Sequence, residues 1–157
     1  MIDKAALRAE LVAQLTAALA AAELAHAAAI EGATHTEARA ENAKDTRGLE
    51  QSYLARGQAQ RVAELAAALA SVTALALRRF SETDPVALSA VVTIEEAGAR
   101  HHWFIAPGGG GSELAGGVSV VTPVSPLGQA LIGKRVDDEV EVRLPGRLRA
   151  LLIVAID

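Results

Sequence analysis

Residues 33–47 read ATHTEARAENAKDTR, a polar, charged interval set between two long segments dominated by alanine and leucine. In the segment before it, Leu7, Leu11, Leu15 and Leu19 recur at four-residue steps, and Ala18, Ala22 and Ala25 fill the same face as it drifts. Spacings of three and four place such residues on one stripe of an α-helix. The segment after it carries Leu49, Tyr53, Val62, Leu65, Leu69 and Val72, with Arg56, Arg61 and Glu64 free to point outward. Two apolar stripes joined by a short polar interval predict an antiparallel intramolecular coiled coil, and alanine permits close approach of the helices. With roughly 30 residues per arm at ~1.5 Å per residue, the expected rod is about 45 Å long.

The interval is therefore the expected tip of a helical hairpin. Gly32 reads as a stop for the first helix, and Thr34 or Thr36 as a cap for the turn that follows. Thr34 with Glu37 three residues on fits a capping box, which explains that glutamate without any function. The acids nevertheless form a series: Glu37, Glu41 and Asp45 follow at steps of four, so on a continuous helix they share a face, with Arg39, Lys44 and Arg47 interleaved. One reading is salt bridging along an exposed helix. The other is a probe that carries carboxylates away from the body of the protein into another molecule's active site. His35, in the same interval, reads as a solvated turn histidine.

Composition changes at about Leu77. Before it the chain is rich in Ala, Leu, Glu and Arg and lacks proline; after it come valine, glycine and all five prolines. This shift from helical to sheet-forming chemistry predicts two small domains within 157 residues: a hairpin over 1–79, a linker over 80–87 containing Pro85, and a second domain over 88–157. A net charge of −4 gives no chain-wide electrostatic footprint for duplex nucleic acid. The absence of cysteine excludes a disulfide framework and thiolate-bound zinc and suits a reducing cytosol. No leader pattern is seen, and charges are expected to interrupt every stretch before about 18 apolar residues. The expectation is a soluble cytoplasmic protein with no membrane partner.

Strand-like segments follow at residues 90–95, 100–106, 117–122, 139–143 and 149–156, with a short helical piece over 126–133 bearing Leu127, Ala130, Leu131 and Ile132. The whole chain is thus expected to be α+β. The glycine run at 108–111 lacks the Lys-Ser/Thr ending of a phosphate loop and no helical pattern follows it, so it reads as a flexible hairpin connection. Adjacent His101 and His102 would face opposite sides of a strand and cannot share one metal. Trp103 and Phe104 read as core aromatics rather than a base-stacking platform. No nucleophile motif supports a self-contained hydrolase.

Two stretches carry a resemblance: AENAKDTRGLEQSYLARGQAQRVAEL at 40–65 and TPVSPLGQALIGKRVDDEVEV at 122–142. Together they resemble the GreA/GreB family of bacterial transcript-cleavage factors, in a branch with an Asp-Thr-Arg-Gly-Leu-Glu motif after the tip, here with Lys44 in the place of a tyrosine. The resemblance implies a hairpin that enters the secondary channel of bacterial RNA polymerase and a C-terminal domain similar in fold to FK506-binding proteins. It implies that tip acids help hold a Mg²⁺ shared with the polymerase while nascent RNA is cut, the factor itself being no enzyme, binding no cofactor alone and acting as a monomer. On this reading Glu37 and Glu41 are the metal-directed, catalysis-assisting acids and Asp45 a weaker one. Arg39, Lys44, Arg47, Arg56 and Arg61 are candidate contacts to RNA or polymerase. The family's usual tip has an aspartate three residues before the glutamate of Glu-Asn-Ala, where this chain has Ala38, and Glu37 lies one position away. A non-cleaving regulator of the same channel and a coiled-coil module unrelated to polymerase are the competing readings.

Overall fold

The computed structural model describes residues 2–34 and 46–157. Helix α1 (Lys4–Thr34) and helix α2 (Arg47–Thr73) are followed by a six-stranded mixed sheet with one short helix. The chain divides into two compact units, one of residues 14–68 and the other of residues 1–13 together with 69–157.

The two long helices run antiparallel: Arg8 meets the Leu75 carbonyl, while Gly32 faces the side chain of Gln51. Leu15, Ala22 and Ala29 on α1, and Leu65 and Val72 on α2, are buried at heptad steps. Counted back from Val72 by threes and fours, this phase passes through Leu69, Leu65 and Val62 and then falls on Gln58, Ala55 and Gln51. The expected inner positions Leu49 and Tyr53 are out of phase and lie 56% and 59% exposed. Ala25 is likewise exposed, with His26 half-buried beside it. Gly32 is not a stop. It lies inside α1, where a Cβ would come 2.9 Å from the Gln51 amide oxygen, so it marks close helix approach. The Thr34 hydroxyl donates back to the Ile30 carbonyl at 3.0 Å. From Leu11 to Ile30 Glu23 is the sole charged residue, and α1 is long and apolar enough to cross a membrane by length and composition.

In the other unit, β1 (Val91–Glu96), β2 (Ala99–Ile105), β3 (Glu113–Leu114), β4 (Val118–Val121), β5 (Glu139–Leu144) and β6 (Arg147–Ile156) lie in the order β3-β4-β2-β1-β6-β5. All neighbours are antiparallel except β2 and β4. The glycine run therefore belongs to a crossover between parallel strands, as the length of residues 106–117 allows, and β3 within it pairs back on β4. Val92, Ile94, Trp103, Ile105, Leu151 and Ile153 form the heart of the core. Helix α3 (Pro126–Leu131) packs on it through buried Leu131. Ser125 caps α3 by accepting from the Gly128 amide at 3.0 Å, Pro126 opens its first turn, and a Cβ on Gly128 would stand 1.9 Å from the Thr122 carbonyl oxygen. Leu127 packs half-buried against the same core, so each residue of the Ser-Pro-Leu-Gly signature has a packing or capping task. Residues 80–87 are stitched to the sheet unit by reciprocal bonds of Val86 with Lys134 and Gly133, and Val86 is buried.

Candidate functional site

The candidate site is the connection between α1 and α2. Helix α1 reaches Thr34 because its alanine-rich run offers no breaker. Helix α2 restarts at Arg47, after Thr46, whose hydroxyl donates to a Glu50 carboxylate oxygen at 3.2 Å. Glu50 lies in the first turn of α2, where a negative charge complements the helix dipole. Glu37, Arg39, Glu41, Lys44 and Asp45 lie outside the described residues.

Of the described cationic candidates, Arg47 opens α2, and Arg56 and Arg61 are exposed farther along it. They do not make one stripe. The step from Arg47 to Arg56 is about two and a half helical turns, which carries the side chain to the opposite side, and Arg61 lies at a third angle. Arg56 instead covers the ring of exposed Tyr53, its guanidinium carbon 5.7 Å from the ring centroid. An aromatic in the wrong heptad phase followed three residues on by arginine is the signal that would have marked Tyr53 as a surface residue.

The residues read as structural in the sheet unit are placed accordingly. Trp103 and Phe104 are buried on opposite faces. His101 stacks on Trp103, while the His102 ring nitrogen meets the Thr93 hydroxyl at 2.9 Å. Arg149 makes a two-pronged ion pair with Glu96, at 2.7 and 2.5 Å, and lies over the Trp103 ring. That pairing holds the Glu96 carboxyl below its ordinary range and raises the Arg149 guanidinium. Burial lowers the Lys4 ammonium, against the pull of Asp157. Among the described residues no group of three or more His, Cys, Asp or Glu is placed to hold a metal ion.

The profile "Transcription elongation factor, GreA/GreB, C-term" matches residues 81–157. Transcription elongation factor GreA of Syntrophus aciditrophicus is 34% identical over 119 residues, covering 74% of this chain and 69% of that protein. This chain belongs to the GreA/GreB family. As a GreA/GreB-family chain it also aligns with the solved structure of GreA factor homolog 1 from Thermus thermophilus, at 20% identity over 93% of this chain and 94% of that one, with a TM-score of 0.41. The Thermus aquaticus counterpart aligns at 21% identity over 96% and 94%, with a TM-score of 0.40.

Proposed function

We propose that this GreA/GreB-family protein binds bacterial RNA polymerase, enters its secondary channel with the hairpin, and stimulates cleavage of backtracked nascent RNA. The observation that carries this reading is where the acids fall. Helix α1 ends at Thr34 and α2 begins at Arg47, so Glu37 and Glu41 belong to the connection between two antiparallel helices. Carboxylates at such a connection can be presented to a partner without a pocket in the chain that carries them.

Their donor chemistry suits the task, because Mg²⁺ is a hard cation that takes oxygen ligands. When bound in the polymerase, such a metal activates water and stabilises charge on the reacting phosphate. Glu37 and Glu41 would hold that site together and orient the attacking water, with Asp45 a lesser contributor. Arg39, Lys44 and Arg47 would steady the RNA phosphates or polymerase acids nearby, and Arg56 and Arg61 would meet the channel farther along. Hydrolysis then takes place in the polymerase, and this chain acts as a cytoplasmic monomeric factor whose FKBP-like domain docks at the channel entrance.

Ala38, at the place of the family's usual aspartate, favours one alternative: a regulator of the same channel that does not cleave. Labelled RNA in stalled, backtracked complexes with a matched bacterial polymerase separates the two. Shortened transcripts with the wild-type protein, lost in the Glu37→Ala/Glu41→Ala double variant while polymerase binding persists, are the expected outcome. Binding and altered elongation without any cleavage would leave the regulator.

A further inference from the structure

The first turns of α1 are held by main-chain groups from three other segments. Lys4 Nζ donates to the Arg78 carbonyl, and Arg8 Nη1 to the Leu75 carbonyl at 2.8 Å. The Ala115 amide donates to Glu10 Oε2 at 2.9 Å. Beside Glu10, Leu11 is wholly buried, and a Cβ on Gly109 would stand 2.7 Å from its Cδ1. Gly109 also holds φ at +76°, and a Cβ on Gly110 would press on the Thr122 methyl at 3.1 Å. A glycine run that superficially suggests a phosphate cradle is thus filled by a leucine side chain. Any residue with a Cβ at position 109 would crowd the buried Leu11 side chain and strain the loop.

We infer that Glu10 and Gly109 are positioning residues, which together form a socket that fixes the root of α1 on the loops beside the sheet. Backbone partners make this hold specific in direction as well as in energy, because an amide at 2.9 Å tolerates little displacement of the carboxylate. The functional consequence rests on the reading proposed above. From Glu10 to Thr34 the helix continues for about 36 Å, so a tilt of about 3° at the root displaces its far end by about 2 Å. Chemistry that depends on delivered carboxylates does not tolerate such an error.

The chain has no cysteine, so spin labels can be attached at introduced cysteines replacing Ala13 and Leu148, both exposed and both in the unit that contains the socket. The full-length protein is expected to give a narrow distance distribution, broadened in Glu10→Ala and in Gly109→Ala and restored in Glu10→Gln, whose amide oxygen still accepts from Ala115. Distributions as narrow as wild type in both disruptive variants would overturn the socket; Glu10→Ala alone decides it if Gly109→Ala does not fold. In the transcript assay the same variants should lower the maximal cleavage rate on the order of tenfold, with the half-saturating concentration unchanged and Glu10→Gln active. Broadening without loss of maximal rate would overturn the positioning role. Broadening in the variants with no cleavage by the wild-type protein would uphold the socket and remove the cleavage reading.

Discussion

Gly128 shows how much one missing side chain can decide. Its α-carbon lies so close to the preceding turn that a Cβ would stand 1.9 Å from the Thr122 oxygen and 3.0 Å from the Pro123 Cα, both main-chain atoms that cannot step aside. Gly128→Ala should therefore destabilise the sheet unit by about 3 kcal/mol, read as a lowered urea midpoint or a loss of soluble protein. The Glu96–Arg149 pair offers a second test at this scale. The Glu96 carboxyl is lowered in the folded state by hydrogen bonding to Arg149, so the stability it contributes is present above the ordinary glutamate value of about 4.3 and is lost as pH falls through the lowered folded value. The Glu96 and Arg149 side chains are 24% and 21% exposed, respectively. Glu96→Gln should cost about 1 kcal/mol or less at pH 7 and flatten the decline in melting temperature below about pH 4.3. Sequence reading recognised the Ser-Pro-Leu-Gly signature but could not assign its glycine a task, because the atom it avoids is fixed only by the path of the chain around it.

At the scale of the element, the hairpin was legible because apolar residues at three- and four-residue steps admit little else. Its phase was legible only in part. Val62, Leu65, Leu69 and Val72 define it, yet toward the tip the inner positions are Gln58, Ala55 and Gln51, while Leu49, Tyr53 and Leu54 are exposed. Hydrophobicity alone pulled the reading onto the wrong face, since polar glutamines carry no sign that they point inward. The helices of the hairpin are thus held by large apolar contacts at one end and by small or polar ones at the other. Gly57, within α2 and with nothing within 4 Å of the place a Cβ would take, adds to that weakness. Gly57→Ala should stabilise the hairpin by about 0.5–1 kcal/mol, seen as a higher thermal midpoint in helical circular dichroism. The two-residue β3 left no periodic signal, because two residues cannot show alternation.

For the molecule as a whole, composition alone separated helical from sheet-forming chemistry and gave the α+β class. It did not show that residues 1–13 join residues 69–157 in one unit while 14–68 form another. Glu10, Leu11, Gly109 and Ala115 meet across a hundred positions of sequence, and no local pattern announces such a meeting. Glu37, Glu41 and Asp45 stand out in the sequence because carboxylates repeat there at steps of four, and the role given to them is the one proposed above. The discontinuous unit has a consequence for synthesis. During translation residues 1–13 emerge long before the segments they will join, and for that time Leu11 lacks the Gly109 loop that lies against it. Zippering of α1 with α2 shortens the wait, since it brings Val72 and Leu75 back beside the root of α1 and removes most of the intervening chain from the loop that must close. On the ribosome, the hairpin is what brings residues 1–13 back beside the segment that begins at residue 69.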